Sequence, residues 1–266
     1  MKTIHILTLT GLLFAACQNN SGNRQQTAKP KADTLTYHYT SYEKRSDKLV
    51  KSSESTDTSY FLATYPVFKN DTINQFVRSS VIINDSPDTT FASIEALGEN
   101  FIGQFDKFHA KDPYPRVWTS ETHAAVNVIT PNYLSLAVSY ENYTGGAHGN
   151  YGTVYSNYNI ATHQEIRLAD IIPQTYQKEL NAIGERYFRA KEGLTDTASL
   201  KETYFFENGQ FALNQNFYLS ADSLHFLYNI YEIKPYVSGT TKLAIPLTDV
   251  ERLLSPQAKV LIASFD

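Results

Sequence analysis

Apolar and polar residues alternate along much of the chain, and this alternation sets the first expectations. Leu35, Tyr37 and Tyr39 alternate with Thr36, His38 and Thr40, which predicts a strand over residues 34–43. Residues 46–58 are polar and serine-rich, a loop or an exposed strand edge. Residues 60–68 read as a second strand, in which Pro66 cannot donate to a ladder and so marks an edge or a bulge. The period then becomes helical. Ile73, Phe76, Val77, Ser80 and Val81 share one face, Thr72 and Gln75 stand at capping-box spacing, and residues 84–87, with Pro87, stop the helix. A second helix is predicted over about 90–108, with Ile94, Leu97, Phe101, Phe105 and Phe108 as its buried stripe.

Pro113 and Pro115 end the helical region, and a meander follows through residues 116–119, 123–130 and 133–143. Leu134, Leu136, Val138 and Tyr140 alternate there with Ser135, Ala137 and Ser139. The run from Tyr143 through Gly145, Gly146, His148 and Gly149 to Asn150 is too glycine-rich for a helix or a strand interior. A β-branched and aromatic stretch resumes at Tyr151, so the glycines form the loop of a wide hairpin. They serve either a turn that needs positive φ or a site where backbone meets a partner beside His148. Further on, residues 161–164 are a turn and 175–191 an amphipathic helix with Tyr176, Leu180, Ile183 and Tyr187 on one face. Residues 203–216 are irregular, 217–221 and 224–233 form a hairpin, and 242–245 a strand. A last helix is expected at Thr248, boxed by Glu251, with Val250, Leu253 and Leu254 buried. The fold class is α+β: antiparallel sheets with packed helices, in two intimately joined halves.

The N-terminus has the pattern of a targeting segment. Lys2 precedes an apolar stretch, residues 4–16, that is short for a bilayer span, and small residues lead into Cys17. This resembles a bacterial lipobox, with Phe14 where leucine is usual. The resemblance implies cleavage before Cys17 and a membrane anchor through lipid on its thiol. Cys17 is the only cysteine among the 266 residues, so the chain has no internal disulfide to form. Residues 17–33 are polar and aperiodic, a flexible tether. Removing a segment that holds Lys2 and no acidic residue takes the net charge from −4 to −5. With no Lys/Arg-rich run, nucleic acid is not an expected partner.

Catalytic signatures are sparse. The chain has no Gly-x-Ser-x-Gly elbow, no His-Glu-x-x-His and no phosphate loop. No cofactor, metal site or catalytic residue is assigned. His148 is either a packed or hydrogen-bonded loop histidine or a metal-binding or acid–base group, and only the fold can bring it to Glu232 or His225. Glu232 lies in the aromatic run 226–233, either on the wet face of a strand or buried with a partner.

Residues 143–150, then Asn157, Tyr158 and Asn159, and later residues 226–239 with Tyr231, Glu232 and Tyr236 resemble a two-part extracytoplasmic family. Its N-terminal part is similar to the extra domain of PdaC-type peptidoglycan deacetylases, and its C-terminal part to the ectodomain of RsiV-type anti-sigma factors, which recognise lysozyme. The resemblance spans about residues 34–254. After the signal peptide over 1–16 and the tether, it implies an N-terminal domain over 34–150 and a C-terminal domain over 151–266. No metal-binding Asp/His motif of the deacetylase's catalytic domain occurs. The expected function is a non-catalytic, lipid-anchored binding protein of the bacterial cell envelope, facing the periplasm or the exterior. Its expected partner is a lysozyme-like protein or peptidoglycan. The alternative is an envelope hydrolase or esterase that uses His148 with a carboxylate. The candidate binding or structural loop comprises Tyr143, Gly145, Gly146, His148, Asn150, Tyr231, Glu232 and Tyr236.

Overall fold

The computed structural model describes residues 35–51, 55–83 and 90–265. The signal peptide, Cys17, the tether and the helix stop at 84–87 lie outside these. The N-terminal half opens with a long hairpin, β1 (Tyr37–Lys51) and β2 (Thr56–Phe68). Register runs from Tyr37 opposite Phe68 to Lys51 opposite Thr56, with a bulge between Arg45 and Leu49. Residues 46–51 and 56–58 of the serine-rich stretch are therefore strand, the exposed-edge alternative. Ser46 is buried and donates its hydroxyl to Asp106. Pro66 lies past the last pair that β2 makes with the next strand, Thr64 with His123, so its missing N–H breaks no ladder there.

Helices α1 (Asp71–Val81) and α2 (Ile94–His109) follow. The expected capping box at Thr72 is not the cap. Asn70 stands one residue ahead of Asp71, and its Oδ1 accepts from Thr72 N at 2.9 Å and Ile73 N at 3.2 Å. Ser93 caps α2, so that helix begins later than expected. Its buried face is also rotated: Ile94, Gly98, Ile102 and Phe105 are buried, Leu97 and Phe101 are half-buried, and Phe108 is 48% exposed. The cause is Gly98. A Cβ there would lie 2.7 Å from Phe61 Cδ1 and 2.8 Å from Tyr42 Cε1. Only glycine lets the helix approach the sheet along that line.

Strands β3 (Thr119–Ile129), β4 (Tyr133–Tyr143), β5 (Asn150–Asn159) and the short β6 (Gln164–Glu165) complete a six-stranded sheet in sequential order. Every pairing is antiparallel except β2 with β3, which are parallel because α1 and α2 carry the chain back across the sheet. One core packs α1 and α2 on Phe61, Ala63, Ala124, Leu134, Leu136 and Val138.

The C-terminal half contains α3 (Leu168–Ile171), α4 (Gln177–Glu192) and a three-stranded antiparallel sheet, β7 (Phe217–Leu219), β8 (Ser223–Tyr228) and β9 (Thr241–Pro246). It ends in α5 (Leu247–Val250) and α6 (Pro256–Ile262). Three expectations change here. Tyr176 is exposed and Phe188, not Tyr187, is buried on α4, whose other buried residues are Leu180, Ile183 and Gly184. The strand expected through residue 233 stops at Tyr228, because the Glu232 carboxylate accepts from Asn229 N at 2.8 Å and closes a turn. Thr248 does not start the last helix. α5 follows Pro246 directly, and Ser255 with Pro256 opens α6, Ser255 Oγ accepting from Ala258 N at 3.0 Å.

The two halves are joined along β5. Beyond its short pairing with β6, the outer edge of β5 is closed by side chains. Asn229 Oδ1 accepts from Thr153 N at 2.9 Å, and Asn216 Oδ1 from Tyr155 N at 2.8 Å. Both amides also donate to Thr153 O. Asn157 Nδ2 donates to Phe217 O at 2.7 Å. The Tyr133 hydroxyl donates to Asn157 Oδ1 at 2.6 Å and accepts from Leu219 N at 3.0 Å. Tyr133 lies on β4, yet its ring belongs to the C-terminal core with Phe217, Phe226 and Leu243. The described residues fall in one compact unit.

Candidate functional site

The β4–β5 loop places His148 in an exposed position over the start of β5. Asn142 pairs with Asn150 at the base of the hairpin. Gly145 has φ +90°, the left-handed region that favours glycine, while Gly146 does not. His148 Nδ1 lies 2.9 Å from Gly149 O.

The segment after β8 meets this loop. Tyr231 has φ +62°, unusual for a residue with a side chain, and its hydroxyl lies 3.4 Å from His148 Nε2. Tyr236 is the hub of the cluster. Its ring centroid is 4.6 Å from His148, 5.4 Å from Tyr231 and 5.8 Å, edge to face, from Tyr151. Such spacings suit aromatic pairs. Val237 beside it is 91% exposed. The segment is braced from behind. Lys234 Nζ donates to Glu192 at 3.0 Å, Phe205 N donates to Ile233 O at 3.0 Å, and Ile233 is buried. The Tyr204 phenol is pushed up to about 12 by burial and by its hydrogen bond to Glu192.

The structure thus brings His148, Tyr231 and Tyr236 together. Tyr143 stands apart, its hydroxyl 3.3 Å from Arg116 Nη1. Glu232 is exposed and held by Asn229 N and Asn214 Nδ2, and among the described residues His148 has no carboxylate hydrogen-bond partner. Tyr151 was missed as a site residue, although strand alternation puts it on one face with Thr153 and Tyr155.

Tyr151 leads onto the face of the large sheet opposite α1 and α2. A hollow of about 530 Å³ lies there, lined by Leu62, Thr64, Glu121, His123, Glu141 and Tyr151 among others. Glu121 and Glu141 are directly opposite across β3 and β4. The Tyr60 phenol donates to Glu121, which together with burial pushes its pKa up to about 12, and Arg45 lies 5.0 Å over the Tyr60 ring.

A serine, a histidine and an aspartate also meet, at the β7–β8 turn. Ser220 Oγ lies 2.9 Å from His225 Nε2 and donates to Asp222 Oδ1 at 2.7 Å. Its one proton faces the carboxylate, so His225 acts as donor to the serine rather than as its base. Burial lowers the His225 pKa and Tyr218 stacks on its ring at 4.3 Å, which marks a closed turn. Among the described residues no group of three or more His, Cys, Asp or Glu is arranged to hold a metal ion, and no helix is long and apolar enough to cross a membrane.

Comparison with known proteins agrees with this two-part build. Residues 52–151 match the family model described as Deacetylase PdaC, and residues 169–248 match that described as Protein of unknown function (DUF3298). A DUF3298-family crystal structure from Bacteroides fragilis NCTC 9343 is 21% identical, with a TM-score of 0.67 over 88% of this chain and 98% of that one. A DUF3298-family protein from Pseudomonas aeruginosa PAO1 is 19% identical, with a TM-score of 0.68 over 85% of this chain and 97% of that one. At these identities the likeness establishes the fold. No curated protein matches the chain.

Proposed function

We propose that this chain, a PdaC-type segment followed by a DUF3298 segment, is a non-catalytic binding protein held at the bacterial envelope by lipid on Cys17. Its ligand is a cell-wall glycan. The observation that carries this reading is the surface cluster of His148, Tyr151, Tyr231 and Tyr236. Exposed rings with polar tips offer flat apolar faces to sugar rings and hydrogen bonds to their hydroxyls. The bracing of residues 233–234 behind the cluster pre-organises it, which lowers the ordering cost of binding. A hydrolase reading gains no support from His148, whose bonded neighbours are Gly149 and Tyr231.

A second reading, a lysozyme-like protein as ligand, is favoured by one observation. The carboxylates of Glu121 and Glu141 face the hollow beside Tyr151 and would attract a basic surface. Co-sedimentation with purified sacculi, run beside capture on immobilised lysozyme, separates the two. The expected result is sedimentation with sacculi that weakens about tenfold or more in Tyr236→Ala, the loss typical of a central aromatic contact. Binding to lysozyme alone would make the ligand a protein, and binding to neither would end the proposal.

The anchor has its own test. Cys17→Ser is expected to take up no labelled fatty acid and to leave the detergent phase in phase separation. Continued membrane partitioning of that variant would rule out attachment at Cys17.

A further inference from the structure

A cavity of about 350 Å³ lies between α2 and the ends of β3 and β4, away from the ring cluster. It exists because Gly98 rolls α2 toward Tyr42 and Phe61, leaving Leu97 and Phe101 half-buried along its wall. The lining is of two kinds. Phe101 and Trp118 provide apolar ring surface, their centroids 6.1 Å apart. Asn100 and Gln104 from α2, and Ser120 and Asn142 from the sheet, provide amides and a hydroxyl. None of these four side chains is hydrogen-bonded to another described residue. Glu141 borders the lining between Tyr140 and Asn142, and strand alternation turns its side chain to the opposite face of the sheet. The Trp118 indole N–H is buried and has no partner among the described residues, an arrangement that folded proteins seldom keep without use. Beside it stands Gly145, where an added Cβ would lie 3.7 Å from Nε1 and 3.8 Å from Arg116 Cβ, so the turn at residues 144–145 and the Arg116 stem cover the indole on that side.

We infer that this cavity is a binding site for one uncharged sugar ring. Unpaired amides and hydroxyls facing aromatic walls suit a neutral ring that is polar at its rim and apolar on its faces. A charged ligand would lack a counter-charge, and an apolar one would strip the amides of water without replacing their hydrogen bonds. The indole N–H donates to a ligand oxygen, which a small outward shift of the turn at residues 144–145 admits. This inference rests on the glycan reading above and adds a second, separate place for a saccharide to that reading.

Trp118 is the single tryptophan of the chain, so its indole N–H gives one unambiguous resonance and its fluorescence one source. The full soluble domain is titrated with N-acetylglucosamine while that resonance is followed. The expected result is saturable movement with a millimolar dissociation constant, as suits a small ligand. Asn100→Ala with Gln104→Ala, both at exposed rim positions, is expected to weaken it about tenfold and leave the melting transition in place. Tyr236→Ala is expected to keep the indole response while weakening sacculus binding about tenfold or more. An indole signal that ignores the sugar, or one that moves equally with hexanol, would overturn the sugar site. Sacculus binding through Tyr236 would survive that result, so the two failures are distinguishable.

Discussion

Expressed separately, residues 34–150 and 151–266 are expected to give no folded protein. The cut falls between β4 and β5, which pair continuously from Tyr133 opposite Asn159 to Asn142 opposite Asn150. Removing β5 leaves the backbone of β4 unpaired on one side, and its Leu134, Leu136 and Val138 in a half-built core. The other fragment keeps β5 with only the two-residue β6 beside it and loses Tyr133 from the middle of its own core. Neither piece retains a complete hydrophobic unit, so neither should show a cooperative melting transition. Co-expression is expected to restore one joint transition. Two soluble fragments, each melting sharply alone, would refute the single-unit account.

Tyr133→Phe is expected to be the most damaging removal of a single atom. The ring volume is kept, so the change isolates the hydroxyl. That hydroxyl serves two buried partners, Leu219 N and Asn157 Oδ1, and burial holds its pKa well above the usual tyrosine value. Each unpaired buried group costs about 1–3 kcal/mol, so a loss on the order of 2–4 kcal/mol is expected. For a unit of this size that lowers the melting temperature by roughly 5–15 °C. Adding Asn157→Ala to Tyr133→Phe should then cost far less than Asn157→Ala alone, since the two share one network. Additive losses would mean that the hydroxyl does not link the halves.

Strong periodicity made much of the fold legible. β4 and β5 lie where alternation places them, and α4 begins and ends close to its predicted span. The failures trace to non-local contacts. Phe108 fits a helical stripe, yet Gly98 touching Tyr42 and Phe61 turns that edge of α2 outward, and nothing in the local spacing of α2 carries that contact. Residues 229–233 have strand-like composition, but Asn229 is drawn to Thr153 and Glu232 to Asn214. The site was half legible. The glycines announced the loop, and resemblance linked it to Tyr231 and Tyr236. The role of Tyr151, and the departure of Tyr143 and Glu232 from the cluster, depend on how the halves dock. The asparagines that close the β5 edge are polar residues in irregular sequence, and composition gives them no distinguishing mark.

The single parallel pairing orders how the sheet can assemble. Hairpins β1–β2 and β3–β4–β5 close over short loops and can form early. The bond from Tyr60 N to Trp118 O, and that from Trp118 N to Ser59 Oγ across 59 residues, must wait until both helices have condensed between them. Closing that distance costs chain entropy before any contact returns it. The β2–β3 seam is therefore expected to close after the hairpins on either side of it, and until it does β2 presents the bare side of a strand to whatever the nascent chain meets.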